Sequence, residues 1–361
     1  MRYYVISGET SGDNHASRVI SELKNKDPKA SFKGMGGDQS EKAGLELLIH
    51  QKEMAIMGFA EVLMSIRKIS RNLAKVKNDI EQWKPDMVLL VDYPGFNFKI
   101  AKYAHSLDIP VHYYISPKVW AWKEGRVKLI KKYVSRLYSI LPFEMEYFQK
   151  KQVVSTYVGN PSKETVDEFL AANPSSKKEK SIALLPGSRT QEIKTSIPIM
   201  LEALQKYPDY KVLIAQAPGF DDAFYHQFDE NLTLVKNDMY GLLSMTDAAL
   251  VTSGTATLET ALMNVPQVVC YKANPISYVI AKAVIKLKYI SLVNLILDKP
   301  VITELIQGDF NPERINEELD EILLDETRQK QIAADYTELH QVIGTLHPSK
   351  EVANHIWNSF Q

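Results

Sequence analysis

Residues 248–259 of the chain read A-A-L-V-T-S-G-T-A-T-L-E, and this stretch decides the fold. The apolar run at 248–251 has the length and composition of a buried strand, and a helical pattern begins near Thr255. A strand that passes through a glycine turn into a helix is the repeating unit of a parallel α/β sheet. The N–H groups that start the helix, the glycine and the hydroxyl side chains together suit a diphosphate. The residues concerned are Ser253, Gly254, Thr255 and Thr257.

Glu259 lies about one helical turn further along, where a carboxylate can accept hydrogen bonds from ribose hydroxyls. An ordinary Ser/Thr helix cap that binds no ligand is the alternative. A second loop, Leu185-Pro186-Gly187-Ser188-Arg189, favours the ligand, since it also follows an apolar run and adds a cation. The planar guanidinium of Arg189 matches the geometry of phosphate oxygens. The alternative is a surface arginine that binds no ligand.

Short apolar runs alternate with amphipathic stretches along the whole chain. They lie at residues 3–7, 87–91, 111–115, 181–185, 211–215, 248–251 and 267–270. This alternation predicts parallel sheets covered by helices on both faces. Between residues 159 and 180 the pattern breaks into a polar, turn-rich segment. We therefore predict two Rossmann-like, doubly wound α/β domains, residues 1–163 and 164–335, that face a central cleft. Helices in residues 336–361 pack back onto the first domain or are exchanged with a partner subunit.

Composition and charge are those of an ordinary globular protein. The 361 residues suffice for two cores, and the net charge of -1 gives no support for nucleic-acid binding. Cys270 is the only cysteine, so an intrachain disulfide is impossible and a reducing compartment is favoured. The sequence has neither a signal peptide pattern nor the run of about 18 apolar residues that a membrane-spanning helix needs. We therefore expect a cytoplasmic protein.

Two loops in the first half follow predicted strands and carry acidic side chains. The first, Ser7-Gly8-Glu9-Thr10-Ser11-Gly12-Asp13, lacks the spacing of a nicotinamide or ATP loop. Its alternative is a tight turn with Ser11 or Asp13 as a helix cap. In the second loop Asp92 directly follows the run at 87–91, where partial desolvation would raise its pKa toward that of a general base. A loop aspartate that caps the next helix is equally consistent with the spacing.

An aromatic element with basic neighbours follows the run at 111–115. It reads Y-Y-I-S-P-K-V-W-A-W at residues 113–122 and precedes several lysines and arginines up to Arg136. Aromatic rings beside cations can stack a sugar and hold a phosphate or a lipid headgroup. Helix packing explains the tryptophans equally well. Two apolar stretches with basic residues, 54–64 and 276–306, have the composition of a membrane-associated surface or of core.

Several familiar motifs are missing from the sequence. No Asp-x-Asp pair occurs, the eight histidines and the cysteine show no zinc-ligand spacing, and G-x-S-x-G is absent. We therefore expect neither a bound metal nor a cofactor.

Six motifs, in order over essentially the whole chain, resemble the lipid-A-disaccharide synthase family. They are S-G-E-T-S-G-D at 7–13, Y-I-S-P-K-V-W-A-W-K-E-G-R at 114–126, L-P-F-E at 141–144, L-L-P-G-S-R-T-Q-E-I at 184–193, S-G-T-A-T-L-E at 253–259 and S-L-V-N-L-I at 291–296. The resemblance implies a metal-independent, inverting glycosyltransferase of the GT-B fold. Its reaction joins UDP-2,3-diacylglucosamine to 2,3-diacylglucosamine 1-phosphate, giving the β-1,6-linked lipid A disaccharide 1-phosphate and UDP.

The resemblance also implies residue roles by motif match. Asp92 would be the catalytic base and Arg189 a catalytic phosphate contact. The donor UDP would be bound by Gly187, Ser188, Arg189, Ser253, Gly254, Thr255, Thr257, Glu259 and Asn294. The acceptor would be bound by Glu9, Ser11, Ser116 and Trp120. Gly95 departs from the pattern, because many relatives are expected to have an acidic residue there.

Both implied substrates carry acyl chains, so the resemblance implies peripheral association with the inner face of the cytoplasmic membrane, with a homodimer possible. One alternative is a UDP-N-acetylglucosamine 2-epimerase, which shares the architecture and the nucleotide site but needs no acyl-chain surface. Another is a non-catalytic, membrane-associated protein that senses nucleotides, for which Asp92 would be replaceable by asparagine without loss of function.

Overall fold

The structure, a computed structural model, describes residues 1–54, 62–174, 179–252, 254–274, 278 and 287–361. Ser253 lies outside the described residues, as do most of the apolar stretch at 54–64 and part of that at 276–306. The chain divides into two compact units, residues 1–161 with 345–361 and residues 162–344. Each unit contains one sheet, and the strand pairs found in the described residues are all parallel.

Seven strands form the sheet of the first unit. They are β1 (Arg2–Ser7), β2 (Ser31–Gly36), β3 (Leu45–His50), β4 (Met87–Val91), β5 (Val111–Tyr114), β6 (Arg136–Ser139) and β7 (Ser155–Tyr157), in the sheet order β3-β2-β1-β4-β5-β6-β7. The helices that connect them are α1 (Thr10–Lys26), α2 (Asp38–Ala43), α3 (Val62–Trp83), α4 (Pro94–His105), α5 (Val127–Tyr133) and α6 (Glu144–Lys150). All residues of β4 are buried, because helices cover both faces of the sheet.

Six strands form the sheet of the second unit. They are β8 (Ser181–Leu185), β9 (Lys211–Gln216), β10 (Thr233–Lys236), β11 (Ala248–Val251), β12 (Gln267–Tyr271) and β13 (Glu304–Ile306), in the order β10-β9-β8-β11-β12-β13. The described helices are α7 (Pro161–Ala172), α8 (Thr190–Leu204), α9 (Asp222–His226), α10 (Met239–Ser244), α11 (Thr255–Leu262), α12 (Leu292–Leu297), α13 (Pro312–Leu324) and α14 (Glu326–Ile343). Two parallel, doubly wound sheets confirm the predicted α/β class.

The C-terminal residues 345–361 belong to the first unit and include the helix α15 (Pro348–Asn358). Its fully buried Val352 and Ile356 share a hydrophobic cluster with Ala16 and Leu23 of α1. No helix among the described residues has the length and apolar content required to cross a bilayer.

The two boundaries lie two and nine residues from the predicted ones. The chain passes from one unit to the other after residue 161 and after residue 344, whereas we predicted 163 and 335. The second predicted boundary falls inside α14, which ends at Gly344 with φ 74° and its N–H bonded to the carbonyl of His340. Glycine adopts a positive φ readily, so Gly344 ends the helix, and the second unit ends with it.

Candidate functional site

The strand order reverses once in each sheet, and the predicted loops lie at these two places. In the first sheet β1 neighbours β4, with Ser7 in register with Val91, and in the second β8 neighbours β11. In open parallel sheets ligands bind beside the carboxyl ends of the strands at such a switch point. Each unit therefore presents one candidate site.

In the candidate site of the first unit the loop after β1 contacts the loop after β4. Glu9 is the N-cap residue of α1, and both Glu9 and Ser11 are exposed. The ring of Tyr93 lies over Gly8 so closely that a Cβ at position 8 would be 2.4 Å from a ring carbon. Burial raises the pKa of Tyr93, and the nearby Glu9 carboxylate adds to the shift. The structure thus brings the two acidic loops of the sequence together.

Asp13 has a structural role in this loop. Its carboxylate is 1% exposed and accepts hydrogen bonds from the N–H groups of Gly37 (2.7 Å), Gln39 (3.0 Å) and Ser40 (3.2 Å). It therefore closes the start of α2 rather than that of its own helix, and Ser11 stays at the surface.

Asp92 follows β4 and is half-buried at the carboxyl edge of the first sheet. The N-cap residue of α4 is Tyr93, so the alternative of Asp92 as the helix cap is not what the structure shows. Burial raises the pKa of the Asp92 carboxyl, against the opposing effects of Lys118 and of a hydrogen bond from the N–H of Tyr93. A Cβ on Gly95 would meet no atom within 4 Å, so an acidic side chain would fit there.

The acceptor candidates Ser116 and Trp120 both bind Glu144, which the sequence placed in the L-P-F-E motif without a role. Glu144 is 1% exposed and accepts from Ser116 Oγ (2.6 Å) and Trp120 Nε1 (2.9 Å), as well as from the N–H groups of Ile140 and Leu141. Burial raises the pKa of Glu144, and these four hydrogen bonds oppose the shift. The polar hydrogens of Ser116 and Trp120 are thus already used within the unit.

In the candidate site of the second unit the loop after β8 is held by Glu192. Arg189 is the N-cap residue of α8, and its exposed side chain donates to Glu192 Oε1 through Nη1 at 2.8 Å. The other carboxylate oxygen accepts from the N–H groups of Ser188 and Arg189, each at 3.2 Å. Gly187 has φ 97°, and a Cβ there would lie 2.6 Å from this oxygen. Glu192 is at the N3 position of α8, three residues after Arg189, from which a glutamate side chain can reach back to the N-cap N–H, and this spacing is the signal that could have found it.

The loop after β11 joins the same edge, since the N–H of Thr252 bonds to the carbonyl of Leu185 at 2.9 Å. Gly254 is the N-cap residue of α11 with φ 140°, a backbone conformation that residues with a side chain rarely adopt. Thr255 is exposed, whereas Thr257 is buried and donates its hydroxyl to the Gly254 carbonyl at 2.9 Å. The exposed start of α11 is therefore the part of this motif that a ligand can reach.

Glu259 lies half-buried within α11. Its Oε1 accepts from the hydroxyl of Tyr240 at 2.9 Å and from Ser162 Oγ at 3.4 Å. Burial raises the pKa of Glu259, and these two hydrogen bonds oppose the shift. Tyr240 and Ser162 orient this carboxylate, and neither carried a recognisable signal in the sequence.

Asn294 does not join the other donor candidates at the surface. It is 1% exposed, its Oδ1 accepts from the N–H groups of Val301 (2.9 Å) and Ile302 (3.0 Å), and its Nδ2 donates to the Ile302 carbonyl (2.8 Å) and to Glu304 (3.0 Å). Its amide thus fastens α12 to the segment that leads into β13. Among the described residues no group of three or more His, Cys, Asp or Glu side chains is arranged to hold a metal ion.

Solved structures share the architecture of the chain. The kitacinnamycin glycotransferase superposes with a TM-score of 0.67 at 12% identity, covering 100% of this chain and 99% of that one. The UDP-GlcNAc 2-epimerase of Neisseria meningitidis superposes with a TM-score of 0.62 at 14% identity, covering 99% and 100%. At these identities the likeness shows the fold, and the fold alone does not separate transferase from epimerase.

Two Rossmann-like parallel sheets with polar loops at their switch points are the GT-B type of fold. The family described as lipid-A-disaccharide synthetase matches residues 3–353. The lipid-A-disaccharide synthase of Myxococcus xanthus is 36% identical over 357 residues, which are 95% of this chain and 93% of that protein. The chain belongs to the lipid-A-disaccharide synthase family. It is therefore a glycosyltransferase of lipid A biosynthesis, and the epimerase alternative is not favoured.

Proposed function

We propose that the chain transfers 2,3-diacylglucosamine from UDP to the 6-hydroxyl of 2,3-diacylglucosamine 1-phosphate, with inversion at the anomeric carbon. The second unit binds the donor and the first binds the acceptor. The observation that carries this proposal is the half-buried Asp92 carboxylate at the switch point of the first sheet, where burial raises its pKa. The family supplies the chemical identity of the two sugars.

Inversion by a single displacement needs a base that takes the proton of the attacking hydroxyl. Asp92 serves as this base, because burial makes its carboxylate a stronger proton acceptor than an ordinary aspartate. The acceptor oxygen bonds to the anomeric carbon as the bond to the UDP oxygen breaks. The products are the β-1,6-linked disaccharide 1-phosphate and UDP.

The donor's diphosphate meets Arg189 and the exposed start of α11, where Gly254 and Thr255 contribute backbone N–H groups and a hydroxyl. These groups stabilise the charge that develops on the departing UDP. Glu259, oriented by Tyr240, accepts from the ribose hydroxyls. Asn294 supports the donor side through the placement of α12 and not by direct contact, since its amide is buried and fully used.

On the acceptor side, Glu9 and Ser11 are exposed and supply polar contacts to the sugar phosphate. Trp120 is half-buried and packs edge-on against Phe143, with ring centroids 4.9 Å apart. Because its N–H is bound to Glu144, Trp120 contributes a ring surface for stacking and not a hydrogen bond.

Both substrates carry acyl chains, so the enzyme works at the inner face of the cytoplasmic membrane as a peripheral protein. The 46% exposed ring of Trp122 supports this, since the Lys123 ammonium lies 4.0 Å and the Arg126 guanidinium 5.9 Å from its centroid. An exposed indole beside cations suits an interface of apolar chains and anionic headgroups. A homodimer is compatible with this arrangement.

The test of this function is an assay of the purified full chain with both diacylated substrates, detergent and a chelator. We expect disaccharide 1-phosphate and UDP in equal amounts. Incubation with UDP-N-acetylglucosamine alone should leave that sugar nucleotide unchanged. Formation of its 2-epimer, or loss of transfer on chelation, would contradict the proposal.

Lys118 provides a prediction about pH. Asp92 must be ionised to accept a proton, so kcat/KM falls as the pH drops through its raised pKa. The Lys118 charge opposes that rise, so the change Lys118→Ala should raise the pKa of Asp92 further and move the acid limb of the kcat/KM profile to higher pH. Lys118→Arg should keep the limb in place, as should Lys128→Ala at an exposed position on α5. A limb that does not move in Lys118→Ala removes Asp92 as the titrating base.

A further inference from the structure

The turn that carries Asp92 has an unusual backbone. Asp92 (φ 47°) and Tyr93 (φ 49°) are consecutive residues in the left-handed region, which is disfavoured for any residue with a Cβ. Such conformations persist only where the surrounding structure fixes them, and they cluster at functional sites. The groups that fix this turn therefore control where the Asp92 carboxylate points.

Two buried side chains hold the carbonyl oxygen of Asp92. The hydroxyl of Tyr113 donates to it at 2.5 Å and Asn97 Nδ2 donates to it at 2.7 Å. Both side chains are 0% exposed. On the other side of the residue, the N–H of Asp92 donates to the carbonyl of Tyr114 at 3.0 Å. Two donors on one carbonyl occupy both of its lone pairs, so the peptide plane after Asp92 has one orientation.

The side-chain amide of Asn97 binds this turn through only one of its two polar atoms. Its Oδ1 is buried and finds no hydrogen-bond partner among the described residues. An unsatisfied buried acceptor is unfavourable and rare in native proteins. The hydrogen bond from Nδ2 to the Asp92 carbonyl is therefore the interaction that Asn97 makes at this position, while its Oδ1 stays without a partner in the described part of the chain.

We propose that Tyr113 and Asn97 are positioning residues of the transfer reaction, which hold Asp92 in its left-handed turn and thereby aim its carboxylate at the acceptor hydroxyl. This rests on the proposed role of Asp92 as the base. Both hydrogen bonds go to the main-chain carbonyl of Asp92 and not to its carboxylate. Their effect is on the rate of the chemical step, because a displacement of about 1 Å in a reacting group costs up to about 100-fold in rate.

The test compares Tyr113→Phe with Tyr138→Phe in the full-length enzyme. Each change removes one buried hydroxyl from neighbouring strands of the same sheet, and Tyr138 bonds to His112 Nδ1 at 2.9 Å, away from Asp92. We expect Tyr113→Phe to lower kcat about tenfold or more, with the affinity for UDP and the acceptor KM kept. Tyr138→Phe should keep kcat. Equal losses of kcat in both variants, or no loss in Tyr113→Phe, would overturn the proposal.

A double-mutant cycle with Asp92→Asn separates this proposal from the proposed function. If Tyr113 acts through the base, Tyr113→Phe has almost no further effect on the residual turnover of Asp92→Asn. An equal loss in both backgrounds means that Tyr113 acts elsewhere. If Asp92→Asn keeps full turnover, the base assignment itself fails. The same cycle can be made with Asn97→Ala and Asp92→Asn, and it replaces the first one if Tyr113→Phe does not fold.

Discussion

Asp92→Asn is expected to lower kcat about 100-fold or more, the size of a lost general base, while the affinity for UDP stays unchanged. The amide has nearly the shape of the carboxylate but accepts no proton at neutral pH. Because the UDP candidates all belong to the other unit, nucleotide binding has no reason to change. Single-turnover transfer and titration calorimetry with UDP measure the two quantities separately.

Asp86→Asn is the matched control for this change. Asp86 directly precedes β4, whereas Asp92 directly follows it, so the two lie at opposite ends of the strand. The carboxylate of Asp86 accepts a hydrogen bond from the N–H of Arg2 at 2.7 Å. This variant should transfer at the normal rate. If Asp92→Asn keeps its turnover, Asp92 is not the base and another residue must accept the proton.

Arg189→Ala is expected to weaken UDP binding about tenfold or more, because a charge-assisted hydrogen bond to phosphate contributes about 1.5–3 kcal/mol. Transfer should fall at least as far, since the departing UDP loses the same stabilisation. The side chain is 81% exposed, so solvent screens its charge in the unliganded protein and the variant should fold normally. UDP affinity by calorimetry and kcat/KM for the donor test both expectations.

Arg314→Ala controls for the loss of an arginine from the same unit. Arg314 lies on α13 and pairs with Glu317 three residues later, as Arg189 pairs with Glu192. In the sequence Arg314 is far from the ends of β8 and β11, and no ligand is predicted for it. Unchanged UDP affinity in Arg189→Ala would remove that residue from the phosphate site, and an equal loss in both variants would indicate a general charge effect.

The fold could be predicted because its strands are buried on both faces. The apolar runs at 87–91, 181–185 and 248–251 are strands with these bounds in the structure, since central parallel strands need apolar side chains in both directions. The loops that follow them were recognisable for the same reason, because a polar residue directly after such a run lies at the carboxyl edge of the sheet.

The partners of the site residues could not be predicted in this way. Glu144 and Ser116 are 28 positions apart, and nothing local in either segment indicates the hydrogen bond that joins them. For Asn294 the motif identified the residue itself. It did not indicate that the side-chain amide is buried and bonded to the N–H groups of Val301 and Ile302. Periodicity reports which face of an element is buried, whereas side-chain pairing depends on how separate elements meet.

Glu192 bears on how readily the spent nucleotide departs. Before any ligand arrives, its carboxylate already neutralises Arg189 and occupies the N–H groups of Ser188 and Arg189. In the proposed donor site a pyrophosphate would therefore share these donors with a carboxylate of the chain itself. If Arg189 binds the donor as we propose, it holds UDP less tightly than an arginine without a carboxylate partner would, which favours release of the product.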